Sequence, residues 1–279
     1  MKLEYHSEEE LKHLVKRHWE TEPCESRAGR GAATRWEYFS RIDKYRYEKS
    51  PFIPAFARFA EYRGKKVLEV GLGSGSDFMQ WARNGAVAFG RDLTEASVKL
   101  VKERLTLEGL VADVAIGDVE ALEFPNDSFD LIYSYGVIHH SPDTRKAASE
   151  IYRVLRPGGS AKIMIYHLFG AMNFYQWILF ALLKLKPWRS IREVVYYYNE
   201  SIGTKLYTKS EAREMFSAFK NANTRTLVDA GDTLDFQLSE RYGKIWIIRA
   251  SQRLFGFLKY LRPYLPSCFG TTMLIEAQK

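Results

Sequence analysis

The 279-residue sequence predicts an α/β fold, a largely parallel sheet with helices on both faces. Three observations carry that expectation. Short apolar, β-branched runs alternate with helix-length segments from Lys65 to His167. The first run opens into a glycine-rich turn, VGLGSGSD. Later runs close on polar residues at equivalent places: Asp92, Asp118 and the stretch SYGVIHH.

The elements follow in order. Residues 1–60 hold two or three helices, with Ser7 ahead of three glutamates as a helix start. SPFIPAFARFAEYRG reads as one helix entered through prolines and closed by Gly64. KKVLEVG is the first strand, DFMQWARNG a helix, AVAFGRD the second strand, and TEASVKLVKERLTLEG a helix capped by Thr94. VADVAIGD and SFDLIYSYGV are the third and fourth strands. SPDTRKAASEIYRVLRPGG is a helix with Ser141 as cap and Pro142 in its first turn, and SAKIMIYH is the fifth strand. After His167 the rhythm breaks. Residues 168–183 carry no charge, yet this run is shorter than the roughly 20 residues a bilayer span needs, so a buried or lid helix is expected. Alternation resumes with YTKSEAREMFSAF, a helix capped by Thr208 or Ser210, then TRTLVD and a last strand, TTMLIEAQK. The chain thus divides into a helical N-terminal cap (1–60), a core (61–167), a lid insertion (168–207), and the rest of the core (208–279) with a basic aromatic insertion at about 236–268.

Composition narrows the class. Hydrophobic residues at 46% and charged residues at 27% describe a globular chain, not a disordered one. Cys24 and Cys268 lack metal-ligand spacing and read as reduced thiols of a cytoplasmic protein. The first twenty residues contain no apolar signal-peptide stretch. Of the net charge of +7, the excess lies late: residues 241–262 hold six basic side chains and no acidic one. That segment is either a solvated face or a surface for an anionic partner, lipid headgroups included.

A glycine-rich strand-to-helix turn lets backbone approach a ligand where a Cβ would clash. Here the glycines are Gly71, Gly73 and Gly75; a dinucleotide fingerprint would place its third glycine at position 76, which is Ser76. Asp92 could accept both hydroxyls of a ribose, and Asp118 suits an adenine amino group. Four successive strand ends converging on one crevice are a stronger signal than the glycines alone.

In order and spacing, VLEVGLGSG, GRDLTEASV, GDVEALEFPNDSFDLIYSYGVIHHSPD and EIYRVLRPGG resemble the consecutive motifs of class I S-adenosylmethionine-dependent methyltransferases of the broad small-molecule group. The resemblance is dense over about 65–165 and loose after 205. It implies a Rossmann-like seven-stranded sheet whose last strand is antiparallel, a slot TTMLIEAQK fits, and S-adenosyl-L-methionine as cofactor. Carried over position by position, it implies Glu69, Gly71, Gly73 and Gly75 on the methionine and ribose side, Asp92 on the ribose hydroxyls with Leu93 beside it, Asp118 and Val119 on the adenine, and Ser134 with Tyr135 near the sulfonium.

Methyl transfer is an in-line displacement that needs positioning and, for an oxygen or carbon nucleophile, a base. The expected catalytic set is His139, Tyr166 and His167, with His139 facing the acceptor as base because histidine titrates near working pH. Expected substrate contacts are Tyr45, Arg46 and Tyr47 from the cap, His140 bracing the loop, and Tyr197, Tyr198, Asn199 and Glu200 from the lid. Adjacent histidines point about 100° apart and do not chelate one ion, so no metal is expected. After the fourth strand stands SYGV, without the Asn or Asp, two prolines and aromatic that grip a base amino group, which argues against nucleic acid. A protein acceptor, a nicotinamide oxidoreductase and a non-catalytic cofactor-binding partner subunit are the competing readings. The apolar run 168–183 and the stretch 241–266 favour a hydrophobic or aromatic metabolite of secondary metabolism, methylated on oxygen or carbon before nitrogen. They also suggest peripheral membrane contact through 168–188 and 241–266.

Overall fold

The computed structural model describes residues 7–199, 201–237 and 243–279. Seven strands form one sheet: β1 (Lys66–Val70), β2 (Val87–Asp92), β3 (Asp113–Ile116), β4 (Phe129–Tyr135), β5 (Leu155–Tyr166), β6 (Lys220–Leu227) and β7 (Thr272–Gln278). Their order is β3-β2-β1-β4-β5-β7-β6, with β7 antiparallel to both neighbours and the other pairings parallel. This is the Rossmann-like arrangement expected, last strand included. The chain order reverses between β1 and β4, and the crevice beyond their carboxyl ends is where such sheets bind ligands.

Helices cover both faces. On one, α6 (Thr144–Val154) and α9 (Lys209–Met215, with Phe216 as its C-cap) set Ala147, Ile151, Ala212 and Phe216 against Ile132, Ile163 and Ile275. On the other, α3 (Ile53–Ala57), α4 (Ser76–Arg83) and α5 (Glu95–Glu108) bring Phe56, Phe78, Trp81 and Val101 to Val67, Leu131 and Tyr133. Because both faces are covered, the central strands read as continuous apolar runs and not as alternating ones. Thr94 caps α5, and Thr208 with Glu211 forms a complete capping box on α9.

Three sequence expectations need correction, the first being that LRPGG (155–159), read as the end of a helix, instead opens β5. Helix α6 is capped by Asp143, whose carboxylate accepts the Lys146 amide at 2.9 Å, and not by Ser141, whose hydroxyl donates to Glu120. The predicted helix to Gly64 breaks at Arg58, which adopts φ 56° and starts a 3-10 turn at Phe59–Tyr62. The break lays Phe59 and Tyr62 on Trp81, with ring centroids 4.4 and 5.8 Å away.

Above the carboxyl edge lie α1 (Glu8–Thr21), α2 (Arg35–Lys49), α7 (Ala171–Phe180), α8 (Ile191–Tyr198), α10 (Trp246–Phe255) and α11 (Leu258–Leu261). Within α7, Asn173, Gln176 and Leu179 are buried while Phe174 faces outward. Among the described residues no helix is long and apolar enough to cross a membrane.

If α9 is integral to the core, Phe216→Ala should cost about 3–5 kcal/mol in a denaturant titration, since Phe216 is fully buried. A loss below about 1 kcal/mol would detach α9 from the core.

Candidate cofactor and acceptor site

The first strand delivers the chain into a loop that only glycine builds. Gly71 sits at φ +79°, and a Cβ there would stand 2.1 Å from Val137 Cγ2. Gly75 sits at φ +83° and ends the loop as the residue before α4. Asp92, at the end of β2, holds this loop. Its Oδ2 accepts the Leu72 and Gly73 amides at 2.7 and 3.3 Å, and its Oδ1 accepts the Thr94 amide and hydroxyl at 2.9 and 2.6 Å. Burial raises the Asp92 carboxyl above its usual range, against these four donors.

Beside the loop lies a buried charge network. Arg46 Nη2 donates to Asp77 Oδ2 at 2.5 Å and Nη1 to Glu25 Oε1 at 3.1 Å. The Tyr133 and Tyr47 hydroxyls also donate to Asp77, at 2.8 and 3.2 Å, and the guanidinium lies 4.4 Å over the Tyr135 ring. Burial works against the Arg46 charge, yet Asp77 and Glu25 hold its pKa well above the ordinary value. Burial, then the neighbouring Asp77, drives the Glu69 carboxyl well upward, while Trp81 Nε1 donates to it at 2.8 Å. Glu25 stands at φ 66°, a left-handed conformation uncommon outside glycine, and burial raises its carboxyl too.

Two adjoining cavities result. The first, about 150 Å³, follows the ends of β1, β2, β3 and β4, as the four converging strand ends required. Glu69, Gly71, Gly73, Gly75, Asp92, Leu93, Asp118, Val119 and Tyr135 line it; Ser134 does not, being fully buried beneath it. Helix α1 lies across this cavity. Lys12 reaches Asp118 Oδ2 and Glu120 Oε2, both at 2.6 Å, with Val15 and Trp19 along the wall.

The second cavity, about 350 Å³, is bordered by Tyr45, Arg46, His140, Tyr166 and Asn199 among the expected residues. Others are placed elsewhere. Tyr47 is tied to Ser76 and Asp77. His167 Nδ1 pairs with the Gly270 carbonyl at 3.1 Å. Tyr198 stacks on Phe180 and accepts from Arg189, while Tyr197 packs edge-on to Tyr196. Glu200 lies outside the described residues.

The histidine pair is reversed from expectation. His139 is wholly buried, lines neither cavity, and neither ring nitrogen has a hydrogen-bond partner among the described residues; its ring lies tilted against Tyr166, with centroids 4.2 Å apart. His140 lines both cavities. The Thr204 hydroxyl donates to the Ser201 carbonyl at 2.7 Å, so its oxygen accepts from His140 Nδ1 at 3.1 Å. That assignment leaves the basic lone pair on Nε2. Burial, then Lys205, lowers the His140 pKa from 6.5 to about 3, and burial with His140 beside it lowers His139 well below the usual value.

Trp19, Cys24 and Glu25 border both cavities without having been expected. They come from a segment with no motif. Asp77 had a readable signal, an acid in the first turn of the helix leaving the glycine loop.

Comparison with known proteins follows the same lines. Residues 68–163 match the model of a family described as a methyltransferase domain. A phthiotriol/phenolphthiotriol dimycocerosates methyltransferase of Mycobacterium tuberculosis is 42% identical over 98 residues, 34% of this chain and 36% of that protein. A sterol 24-C-methyltransferase of Gibberella zeae is 30% identical over 195 residues, 58% of this chain and 48% of that protein. The matches thus span between about a third and a half of these relatives' length. The solved YcgJ protein of Bacillus subtilis shares the fold at a TM-score of 0.56 and 20% identity, covering 82% of this chain and 98% of that one.

The family's cofactor, S-adenosylmethionine, carries a sulfonium, an ammonium and one carboxylate. The first cavity fits it. Its lining carboxylates, Glu25, Glu69, Asp77, Asp92 and Asp118, outnumber the cations Lys12, Arg46 and Arg91. The Ser76 hydroxyl, which lines it, is buried without a hydrogen-bond partner among the described residues. Residues 68–163 thus match the methyltransferase-domain family, and the seven-stranded sheet around them has the Rossmann-like methyltransferase fold.

Proposed function

We propose that the chain transfers a methyl group from S-adenosylmethionine to an oxygen or carbon of a hydrophobic, lipid-like small molecule held in the second cavity. The observation that carries this reading is the shared wall of the two cavities. Trp19, Glu25, Arg46, Tyr135, Gly136 and His140 border both, so a ligand in each would meet along these residues. The far wall of the second cavity is apolar, with Met164, Met172, Leu179, Phe180, Phe236 and Ile248. Elsewhere the lining is polar, with Glu25, Arg46, Lys49, Asn173, Gln176 and Asp229. Such a concave chamber of mixed lining suits a small molecule with an apolar body and a polar group better than a nucleic-acid strand or protein segment. The printed substrates of the two relatives, a phthiotriol dimycocerosate and a sterol, support a lipid-like acceptor.

In this reading described residues of the cap, the lid and the insertion, among them Trp19, Leu179 and Ile248, roof the cavities over the core. When bound, S-adenosylmethionine supplies an electrophilic methyl already activated by its sulfonium. The chain's residues supply placement and a hydrogen-bond acceptor. Asp92 keeps the glycine loop open to the ligand backbone, while Asp118 and Val119 flank the expected adenine position. The carboxylate-rich wall favours the cationic ligand electrostatically. His140, neutral at working pH, turns Nε2 toward an acceptor hydroxyl and takes its hydrogen bond as charge develops on oxygen. His139 backs it and touches neither ligand site.

The experiment is S-adenosylhomocysteine titration calorimetry paired with a radiolabelled methyl-transfer screen over sterols, polyketides and long-chain diols. Saturable binding and label in an organic-soluble product are expected; absence of S-adenosylhomocysteine binding would overturn the reading. His140→Gln should lower kcat by about 10²-fold while leaving S-adenosylhomocysteine affinity within a few-fold, and His139→Gln should lower it less. The reverse ranking would return the proton-acceptor role to His139. Stability supplies a third measurement. Between pH about 6.5 and about 3 the unfolded chain protonates the His140 imidazole and the folded chain does not, so stability falls as pH drops through that window. In urea titrations at several pH values, His140→Gln should remove about 1.4 kcal/mol per pH unit from that acid-side slope.

A further inference from the structure

We infer that the outward face of the lid docks on an anionic lipid bilayer. Helices α7 and α10 pack on one another through Leu179 and Ile248, with Phe180, Ile245 and Ile247 around them. The inner side of this pair walls the second cavity, to which Leu179, Phe180 and Ile248 contribute. Helix α10 and the segments that follow α7 and α10 expose large apolar side chains. Leu185 is 82% exposed, Trp188 75%, Trp246 71%, Leu254 68% and Tyr260 72%. A water-facing surface gains nothing from so many large apolar side chains, and a contiguous set of them marks an interface.

Three further observations select a membrane as the occupant. First, cations are interleaved with the apolar residues. Lys184, Lys186, Arg249, Arg253 and Lys259 are exposed, and none enters an ion pair among the described residues. Second, neither 168–188 nor 241–262 contains an acidic residue, so the face is uniformly positive. Protein interfaces are depleted of lysine, whereas aromatic and aliphatic side chains mixed with Lys and Arg suit the headgroup boundary, where the chains insert and the cations meet lipid phosphate. Third, Leu185 closes the turn after α7 at φ 56°, a position where glycine is the usual choice. A leucine held there in a left-handed backbone, pointing into water, is unfavourable twice over unless its side chain inserts into something apolar. The helices are too short to span, so the geometry is that of a face lying in the interface plane. That the face flanks an acceptor cavity rests on the reading above; the docking itself does not.

The test is vesicle flotation of the full chain with phosphatidylcholine vesicles and with equimolar phosphatidylcholine–phosphatidylglycerol vesicles, at low and high salt. The wild type should float with the anionic vesicles at low salt and be released as salt screens the charges. The triple variant Arg249→Glu, Arg253→Glu, Lys259→Glu should lose at least about a hundredfold in partition coefficient, from about fivefold for each cation removed. Leu185→Ser with Trp188→Ser should weaken flotation at low salt as well, by removing the inserted chains. S-adenosylhomocysteine affinity, measured in parallel, should be unchanged in both variants and certifies that they fold. No flotation of the wild type at low salt, or equal flotation of wild type and variants, would overturn the proposal. So would a wild-type dimer that the serine variant splits while its vesicle binding stays intact, since the face would then belong to a second copy. Flotation without any S-adenosylhomocysteine binding would leave the docking standing and remove only the cofactor reading.

Discussion

Arg46 is the contact on which the site depends. It projects from α2 and sits between Asp77, at the start of α4, and Glu25, in the segment after α1. Three parts of the chain that share no local sequence relation therefore meet at one guanidinium. Without it, Asp77 and the nearby Glu69 would face each other at low dielectric, and at least one would have to protonate or take up water. Arg46 offsets part of that cost, yet burial and Asp77 still hold the Glu69 carboxyl well above its usual range. The same cation lies over Tyr135, so the network also sets the ring that borders both cavities.

Asp92 does for the loop what Arg46 does for the cap. Its oxygens accept from Leu72, Gly73 and Thr94, which makes it a brace of the glycine turn first. A ribose contact at this carboxylate would be shared with those donors. At the other end of the cavity Lys12 already spans Asp118 and Glu120, so α1 is a wall of the cofactor site and not a separate appendage. The excess of carboxylates in the cavity and the excess of cations on the lid are separate charge patterns, and each faces a ligand of opposite sign.

Most of the sheet was legible along the chain, because each strand is a short buried run between a glycine or a cap and a helix. Thr94 and the Thr208 pair were readable for the same reason: a cap acts on amides two or three residues away. Ser141 misled because two capping side chains stand two positions apart, and Glu120, from a distant loop, claims its hydroxyl and leaves the helix to Asp143. The helix over 51–64 misled because its proline and glycine signals are local, whereas the break at Arg58 serves the packing of Phe59 and Tyr62 on Trp81.

The sequence by itself determined the parallel sheet, the glycine loop and the carboxylates at successive strand ends, and the order of its motifs carried the resemblance that implied the cofactor. Each of these is a backbone requirement answered within a few residues: a left-handed turn, a cap, a buried strand. Tertiary structure decided which side chains face the acceptor. His139 and His140 are neighbours of identical chemistry, and no local rule orders them. Thr204, 64 positions from His140, ties down one ring while Tyr166 packs against the other, and only the folded chain brings these residues to the same place.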